Sequence, residues 1–150
     1  MRNILIVDDE KVLRNSLALV LKENGYEVST SSGGEQALKY LGDDIICDLV
    51  ITDLKMERMS GIKLLEKIKE KYPSIEVIVL TAFGTLDSAV NTIKKGAFDY
   101  LTKPVDPEKN LVTVRNALER KNLSSELGFI KKEFRRKYNV NSIKGESEAI

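Results

Sequence analysis

The chain has no histidine and no tryptophan, and only one cysteine and three prolines among 150 residues. Without histidine, imidazole acid–base catalysis and histidine-ligated zinc are both excluded. A lone cysteine, Cys47, cannot close an internal disulfide and suits a reducing cytosol. It stands at the entry to a predicted strand, where the expected role is a small buried hydrophobe. No sign of charge dominates. The 24 Lys and Arg oppose 23 Asp and Glu, and a net charge of +1 implies no global attraction to nucleic acid or an anionic membrane. Long hydrophobic runs are missing as well. Met1-Arg2-Asn3 leads into the four-residue run Ile4-Leu5-Ile6-Val7, too short for a signal-peptide core or a membrane span, so a cytoplasmic protein is expected. No Gly-rich phosphate-cradling loop with Lys and Ser or Thr occurs, so this chain is not expected to hydrolyse ATP. The 42% hydrophobic content and the length suit one globular domain with its own core, plus a short extension.

The apolar residues that are present fall in short runs, and each of four runs ends on chemistry. Ile4 to Val7 leads to Asp8 and Asp9, Leu49 to Thr52 to Asp53, Val77 to Leu80 to Thr81, and Phe98 to Thr102 to Lys103 and Pro104. Such runs, separated by helix-patterned stretches, read as buried parallel strands. The pattern predicts an α/β fold: a doubly wound, five-stranded parallel sheet with helices on both faces. The first helix begins after Asp9 with Val12, Leu13, Leu17, Val20 and Leu21 on one stripe, and Gly25 is placed as its left-handed cap. Tyr26 to Thr30 is a more polar second strand, expected at an edge. Ser32 with Glu35 reads as a capping box for a second helix carrying Ala37, Leu38 and Leu41. A third strand spans Asp48 to Thr52. Ser60 caps a third helix with Ile62, Leu64, Leu65 and Ile68 inward, and Pro73 follows its end. The fourth strand is Glu76 to Leu80, the fourth helix follows Thr85 and ends at Gly96, and Phe98 to Thr102 is the fifth strand.

From Pro107 the pattern stays helical while its apolar stripe rotates. Leu111, Val114 and Leu118 belong to the domain, whereas Leu123, Leu127, Ile130 and Phe134 lie on a second stripe. The second stripe is expected to face a copy of itself, which makes residues 121–142 a helical linker and dimerisation helix.

Open parallel sheets hold their ligands at the carboxyl ends of the strands. Three carboxylates there repel one another, which a hard divalent cation relieves; oxygen-only ligands favour magnesium. Lys103 adds positive charge from the other side, Thr81 can hydrogen-bond a phosphoryl oxygen, and Asp53 on a central strand is the carboxylate placed to attack phosphorus.

Val7-Asp8-Asp9-Glu10, the Asp53 segment, Thr81-Ala82-Phe83-Gly84 and Phe98-Asp99-Tyr100-Leu101-Thr102-Lys103-Pro104 together resemble the receiver domain of bacterial two-component response regulators, over residues 1–120. The resemblance implies the flavodoxin-like strand order 2-1-3-4-5 and phosphorylation of Asp53 by a sensor histidine kinase. It further implies that Asp9 binds magnesium directly, that Asp8 does so largely through water, and that the Lys55 carbonyl is another ligand. Thr81 and Tyr100 match the family's switch pair, and the Lys103–Pro104 bond is implied to be cis. One position departs from the pattern: Glu57 stands where the family usually has proline. The Thr81 to Thr85 and Lys94 to Pro104 stretches are similar to the NtrC-type, sigma-54-dependent activators. Residues 143–150 look like the opening of the ATPase module of such proteins, which would make this chain a receiver-plus-linker piece of a longer transcription activator. The implied partners are the kinase, the output ATPase and DNA-binding domains, and a second copy. That copy would pair through the linker, or through the fourth helix, fifth strand and fifth helix; no membrane or direct nucleic-acid contact is implied.

Two other readings are weaker. A magnesium-dependent aspartyl-phosphate phosphatase usually has a second carboxylate two residues after its nucleophile, and Lys55 occupies that place. A nucleic-acid module is suggested by Lys131, Lys132, Arg135, Arg136 and Lys137 with Phe134 and Tyr138 interleaved, but a solvated helix face explains that run as well.

Overall fold

The computed structural model describes residues 2–43, 46–82, 85–103 and 108–120. Strand and helix alternate as β1 (Asn3–Val7), α1 (Lys11–Glu23), β2 (Glu27–Ser31), α2 (Gly34–Leu41), β3 (Leu49–Thr52), α3 (Gly61–Lys71), β4 (Glu76–Thr81), α4 (Leu86–Lys94) and β5 (Asp99–Thr102). A fifth helix, α5, covers 108–120. All strand pairs are parallel, and the sheet order is β2-β1-β3-β4-β5. Among the described residues no helix is long and apolar enough to cross a membrane. The expected linker over 121–142, the ATPase opening at 143–150, the basic run from Lys131 and the Lys103–Pro104 bond lie outside the described residues.

Side chains on a strand alternate between its faces, and the central strands use both. Leu5, Val7, Val50, Val77 and Val79 point to one face, where they meet Ala37 and Leu41 of α2 and Leu64, Leu65 and Ile68 of α3. Ile4, Ile6, Leu49, Ile51, Ile78 and Leu80 point to the other, against Leu17, Ala18 and Leu21 of α1 and Val114, Ala117 and Leu118 of α5. Most of these side chains are almost wholly buried, and each large one contributes about 1.5–3 kcal/mol by leaving water. Cys47 is buried, as expected for a small hydrophobe, and its thiol donates to the Leu49 carbonyl at 3.3 Å.

Several local expectations change. Val12 is 77% exposed, so the buried stripe of α1 is Leu17, Ala18 and Leu21 instead of one starting at Val12. Ser32 and Glu35 form no capping box. The N-cap is Gly33, and the Gln36 amide oxygen accepts from the Ser32 amide at 2.8 Å, so the side chain that turns back is one residue later. β2 is shifted by one residue from the expected span. β3 begins at Leu49, and just before it Asp48 closes the foot of the sheet: its amide donates to the Asn3 carbonyl at 2.9 Å and its carboxylate accepts from the Asn3 amide at 2.9 Å. Gly25 lies just past the α1 cap at φ 91°, the left-handed geometry expected of it.

The foot of the sheet also holds a buried carboxylate between two cations. Glu76 Oε2 lies 3.2 Å from Arg120 Nε, Glu76 Oε1 lies 3.8 Å from Lys69 Nζ, and Glu76 itself is only 5% exposed. Lys69 donates to the Ile75 carbonyl at 2.7 Å. Burial pushes its ammonium below the usual lysine value, with Glu76 pulling the other way. The Arg120 guanidinium also stacks over Phe98 at 5.2 Å, so the last described turn of α5 is tied to both β4 and the entry of β5. Glu76→Ala strands Lys69 without its counter-charge and is expected to cost about 1–3 kcal/mol, read as a lowered urea midpoint. An unchanged midpoint would show that the carboxylate adds nothing net.

Candidate functional site

The ladder hydrogen bonds continue one residue past the strand ends, and this places the chemistry. The Asp8 amide donates to the Ser31 carbonyl at 3.1 Å, the Asp53 amide to the Val7 carbonyl at 3.0 Å, and the Lys103 amide to the Thr81 carbonyl at 2.8 Å. Each functional residue is therefore held by a neighbouring strand, although its side chain is already beyond the sheet. α3 is seated against the same rim, where the Gly61 amide donates to the Leu54 carbonyl at 2.7 Å.

One carboxylate oxygen from each of Asp8, Asp9 and Asp53 lies within 4.8 Å of the other two. Asp8 and Asp53 are buried, at 4% and 9% exposure, while Asp9 faces solvent. The Lys103 ammonium reaches Asp8 Oδ2 at 3.1 Å, Asp53 Oδ2 at 3.4 Å and Glu10 Oε1 at 3.9 Å. Asp8 Oδ1 accepts from the Glu10 amide at 2.9 Å. Burial raises the Asp53 carboxyl above its ordinary value near 3.8; Lys103 opposes that rise and Asp8 adds to it.

Unit charges about 4 Å apart at an effective dielectric of about 20 interact by roughly 4 kcal/mol. Three carboxylates repel in every pairing, whereas one ammonium makes two close attractive contacts, with Asp8 and Asp53. The cluster therefore keeps a net appetite for positive charge. Among the described residues Asp53 Oδ1 is buried without a hydrogen bond of good geometry, although the Leu54 amide is directed at the carboxylate and favours its charged form. An all-oxygen donor set with an under-satisfied buried oxygen fits a hard divalent cation such as magnesium.

The structure thus brings Asp8, Asp9, Asp53 and Lys103 together. Thr81 ends β4 fully buried, beside Thr102 in the strand register. Tyr100 does not join the acid cluster; its hydroxyl lies 2.7 Å from Ser88 Oγ on α4. The Lys55 side chain is exposed two residues beyond Asp53, and Glu57 is exposed in the same loop, next to Arg58 at φ 70°. Sequence reasoning missed Arg14, whose Nη1 donates to the Asp8 carbonyl at 2.7 Å. Its signal was its place one helical turn after Glu10, on the side of α1 that faces the strand ends.

The chain matches the family model described as the response regulator receiver domain over residues 4–115. It is 39% identical over 119 residues to a putative NtrX-like response regulator of Rickettsia bellii, an alignment covering 78% of this chain and 25% of that protein. It is 40% identical over 122 residues to the transcriptional regulatory protein ZraR of Klebsiella oxytoca, covering 81% of this chain and 27% of that one. Its fold superposes on the solution structure of the beryllofluoride-activated NtrC4 receiver domain dimer with a TM-score of 0.77 and 36% identity, covering 81% of this chain and 99% of that chain. The chain spans about a quarter of the length of the curated relatives it matches. A parallel sheet of order 2-1-3-4-5, acid residues at its carboxyl edge and these likenesses lead to one conclusion: the chain belongs to the response regulator receiver domain family, of the NtrC type.

Proposed function

We propose that Asp53 is the phosphoacceptor of this receiver. The observation that carries the reading is its buried carboxylate, with one oxygen 3.4 Å from the Lys103 ammonium and the other without a well-formed hydrogen bond among the described residues. An Asp53 oxygen attacks the phosphorus of a phosphodonor, the bond from phosphorus to the donor's leaving atom breaks, and that atom keeps the electron pair. Lys103 balances charge on the transferred oxygens, and Thr81 donates a hydrogen bond to one of them. Asp8, Asp9, Asp53 and the Lys55 carbonyl would hold magnesium, which when bound supplies the positive charge that offsets the developing negative charge. The donor is a phosphohistidine on a partner sensor kinase. The receiver is a signalling module instead of a turnover enzyme, and it speeds only its own phosphorylation and dephosphorylation. A phosphatase is not favoured, since Lys55 stands where that chemistry wants an acid.

Thr81 and Tyr100 form the responding pair, and the acyl phosphate shifts α4, β5 and α5. Within a longer cytoplasmic transcription activator, residues 1–120 would be the receiver, 121–142 the linker and dimerisation helix, and 143–150 the start of an output ATPase that precedes a DNA-binding domain. A second copy pairs through the linker or the α4-β5-α5 face. Support for this arrangement comes from the rotated stripe at Leu123, Leu127, Ile130 and Phe134, and from the receiver dimer of NtrC4.

Acetyl phosphate with magnesium is expected to add the mass of one phosphoryl group to the wild-type chain and none to Asp53→Asn. Equal labelling of both would remove Asp53 from the role.

A further inference from the structure

A second polar cluster sits where the N-terminus of α4 meets β5. The Ser88 amide donates to Thr85 Oγ1 at 3.0 Å, and the Thr85 amide donates to Ser88 Oγ at 3.0 Å, so the two close a reciprocal cap. Ser88 Oγ donates in turn to the Thr85 carbonyl at 3.0 Å, and Tyr100 Oη lies 2.7 Å from the same Oγ. A serine hydroxyl carries one hydrogen and two lone pairs. The Thr85 hydroxyl also donates to Ser88 Oγ at 3.0 Å, so Ser88 Oγ is shared among the cap and the ring, and in the 2.7 Å contact either the Ser88 or the Tyr100 hydroxyl can be the donor. The serine that closes the cap of α4 is therefore also the hydrogen-bond partner of the ring on β5.

We propose that Ser88 is a switch residue of this receiver: its hydroxyl clasps the Tyr100 phenol in the resting arrangement and ties that ring to the cap of α4. The inference rests on the reading of Asp53 as phosphoacceptor and of Thr81 with Tyr100 as the responding pair. Two observations make one hydrogen bond matter here. α4 is loosely held, because Thr92 is its buried residue while Leu86, Val90 and Ile93 are 80%, 45% and 45% exposed. An element with so few packed side chains has a shallow preference for its place, so a single contact weighs heavily in it. The clasp is also in line with the site, since Thr81 ends β4 and Thr85 begins the cap a few residues later. The half-buried ring packs against the core on the face that carries α2 and α3, and for it to turn from there the phenol must release Ser88.

A purely structural cap predicts something different. In that case Ser88→Ala weakens α4 while Tyr100→Phe, which leaves the cap and the ring intact, changes nothing. The test titrates beryllofluoride with magnesium into the full chain and reads apparent affinity by calorimetry. Losing one partly exposed hydrogen bond moves a two-state balance by about two- to tenfold. Ser88→Ala and Tyr100→Phe should each tighten beryllofluoride binding by about that factor. The double variant should tighten it no further than either single one, and Ser88→Thr, which keeps a hydroxyl, should stay near wild type. Tyr100→Phe binding unchanged or weaker, or single effects that simply add, overturns the clasp while the wild type still binds. A wild-type chain that binds no beryllofluoride overturns the phosphoacceptor reading, and the clasp with it.

Discussion

Gly61→Ala should cost the domain at least about 3 kcal/mol of stability, a large share of the roughly 5–15 kcal/mol that holds a domain of this size together. A Cβ at position 61 collides with the Asp53 carbonyl oxygen and comes within 2.8 Å of Leu54 Cα. Overpacking a core usually costs about 1–3 kcal/mol because side chains can turn aside. Here the obstacle is backbone, and it is pinned: the Gly61 amide donates to the Leu54 carbonyl, and the Asp53 amide donates to Val7. Either the first turn of α3 lifts from the rim or Asp53 moves away from Lys103. Urea denaturation read by circular dichroism measures the first outcome, and the rate of labelling by acetyl phosphate measures the second. Gly33→Ala is the control, since nothing lies within 4 Å of its added methyl and its backbone is extended. A Gly61→Ala chain with the stability and labelling rate of the wild type would show that the rim yields more easily than its hydrogen bonds suggest.

Lys103→Met and Asp53→Asn should move the metal-free domain in opposite directions. The Lys103 side chain is 11% exposed and is the near counter-charge of Asp8 and Asp53. Removing it leaves buried carboxylates facing one another, at a cost of about 3 kcal/mol, the low end for a broken buried pair because Asp9 opens the cluster to water. Saturating magnesium should restore much of that loss by supplying the missing charge. Asp53→Asn instead relieves the repulsion and should stabilise the metal-free chain by about 0.5–2 kcal/mol, at the expense of phosphorylation. The pH dependence follows from the same carboxyl. The folded value of Asp53 lies above 3.8, so between the two values the folded chain binds the extra proton. Its contribution to stability therefore falls as pH rises through that window and stays adverse at neutral pH. The stability difference between Asp53→Asn and wild type should grow with pH across the window and then level off. A flat difference, or a destabilised Asp53→Asn chain without metal, would mean that Lys103 already compensates the cluster in full.

Much of the site was legible because strand ends in a parallel sheet are set by where apolar runs stop. Asp8, Asp53, Thr81 and Lys103 each follow such a run, and the sheet order brings those runs side by side. Contacts made by polar side chains across elements were not legible in this way. Gln36 in place of Glu35 turns back to cap α2, Arg14 reaches the Asp8 carbonyl, and Ser88 holds Tyr100. None of these pairings has a period or a fixed spacing, since each depends on which rotamer meets which neighbour once the helices are seated. Val12 failed for a related reason: it is apolar, but it shares the outer face of α1 with Asn15, Ser16 and Leu19, all exposed, while Leu17, Ala18 and Leu21 face the sheet.

The amino-acid order alone was enough for the fold class, the element order and the identity of the clustered residues, because burial periodicity and the positions of acids at run ends are local properties of the chain. The distances that turn those residues into a site belong to the tertiary structure. The 3.1 Å and 3.4 Å contacts of Lys103, the under-satisfied oxygen of Asp53 and the Tyr100 phenol on Ser88 exist only when separate strands and helices are packed together. Electrostatic strength and hydrogen-bond partnership depend on separation and desolvation, and neither quantity is set by neighbours along the chain.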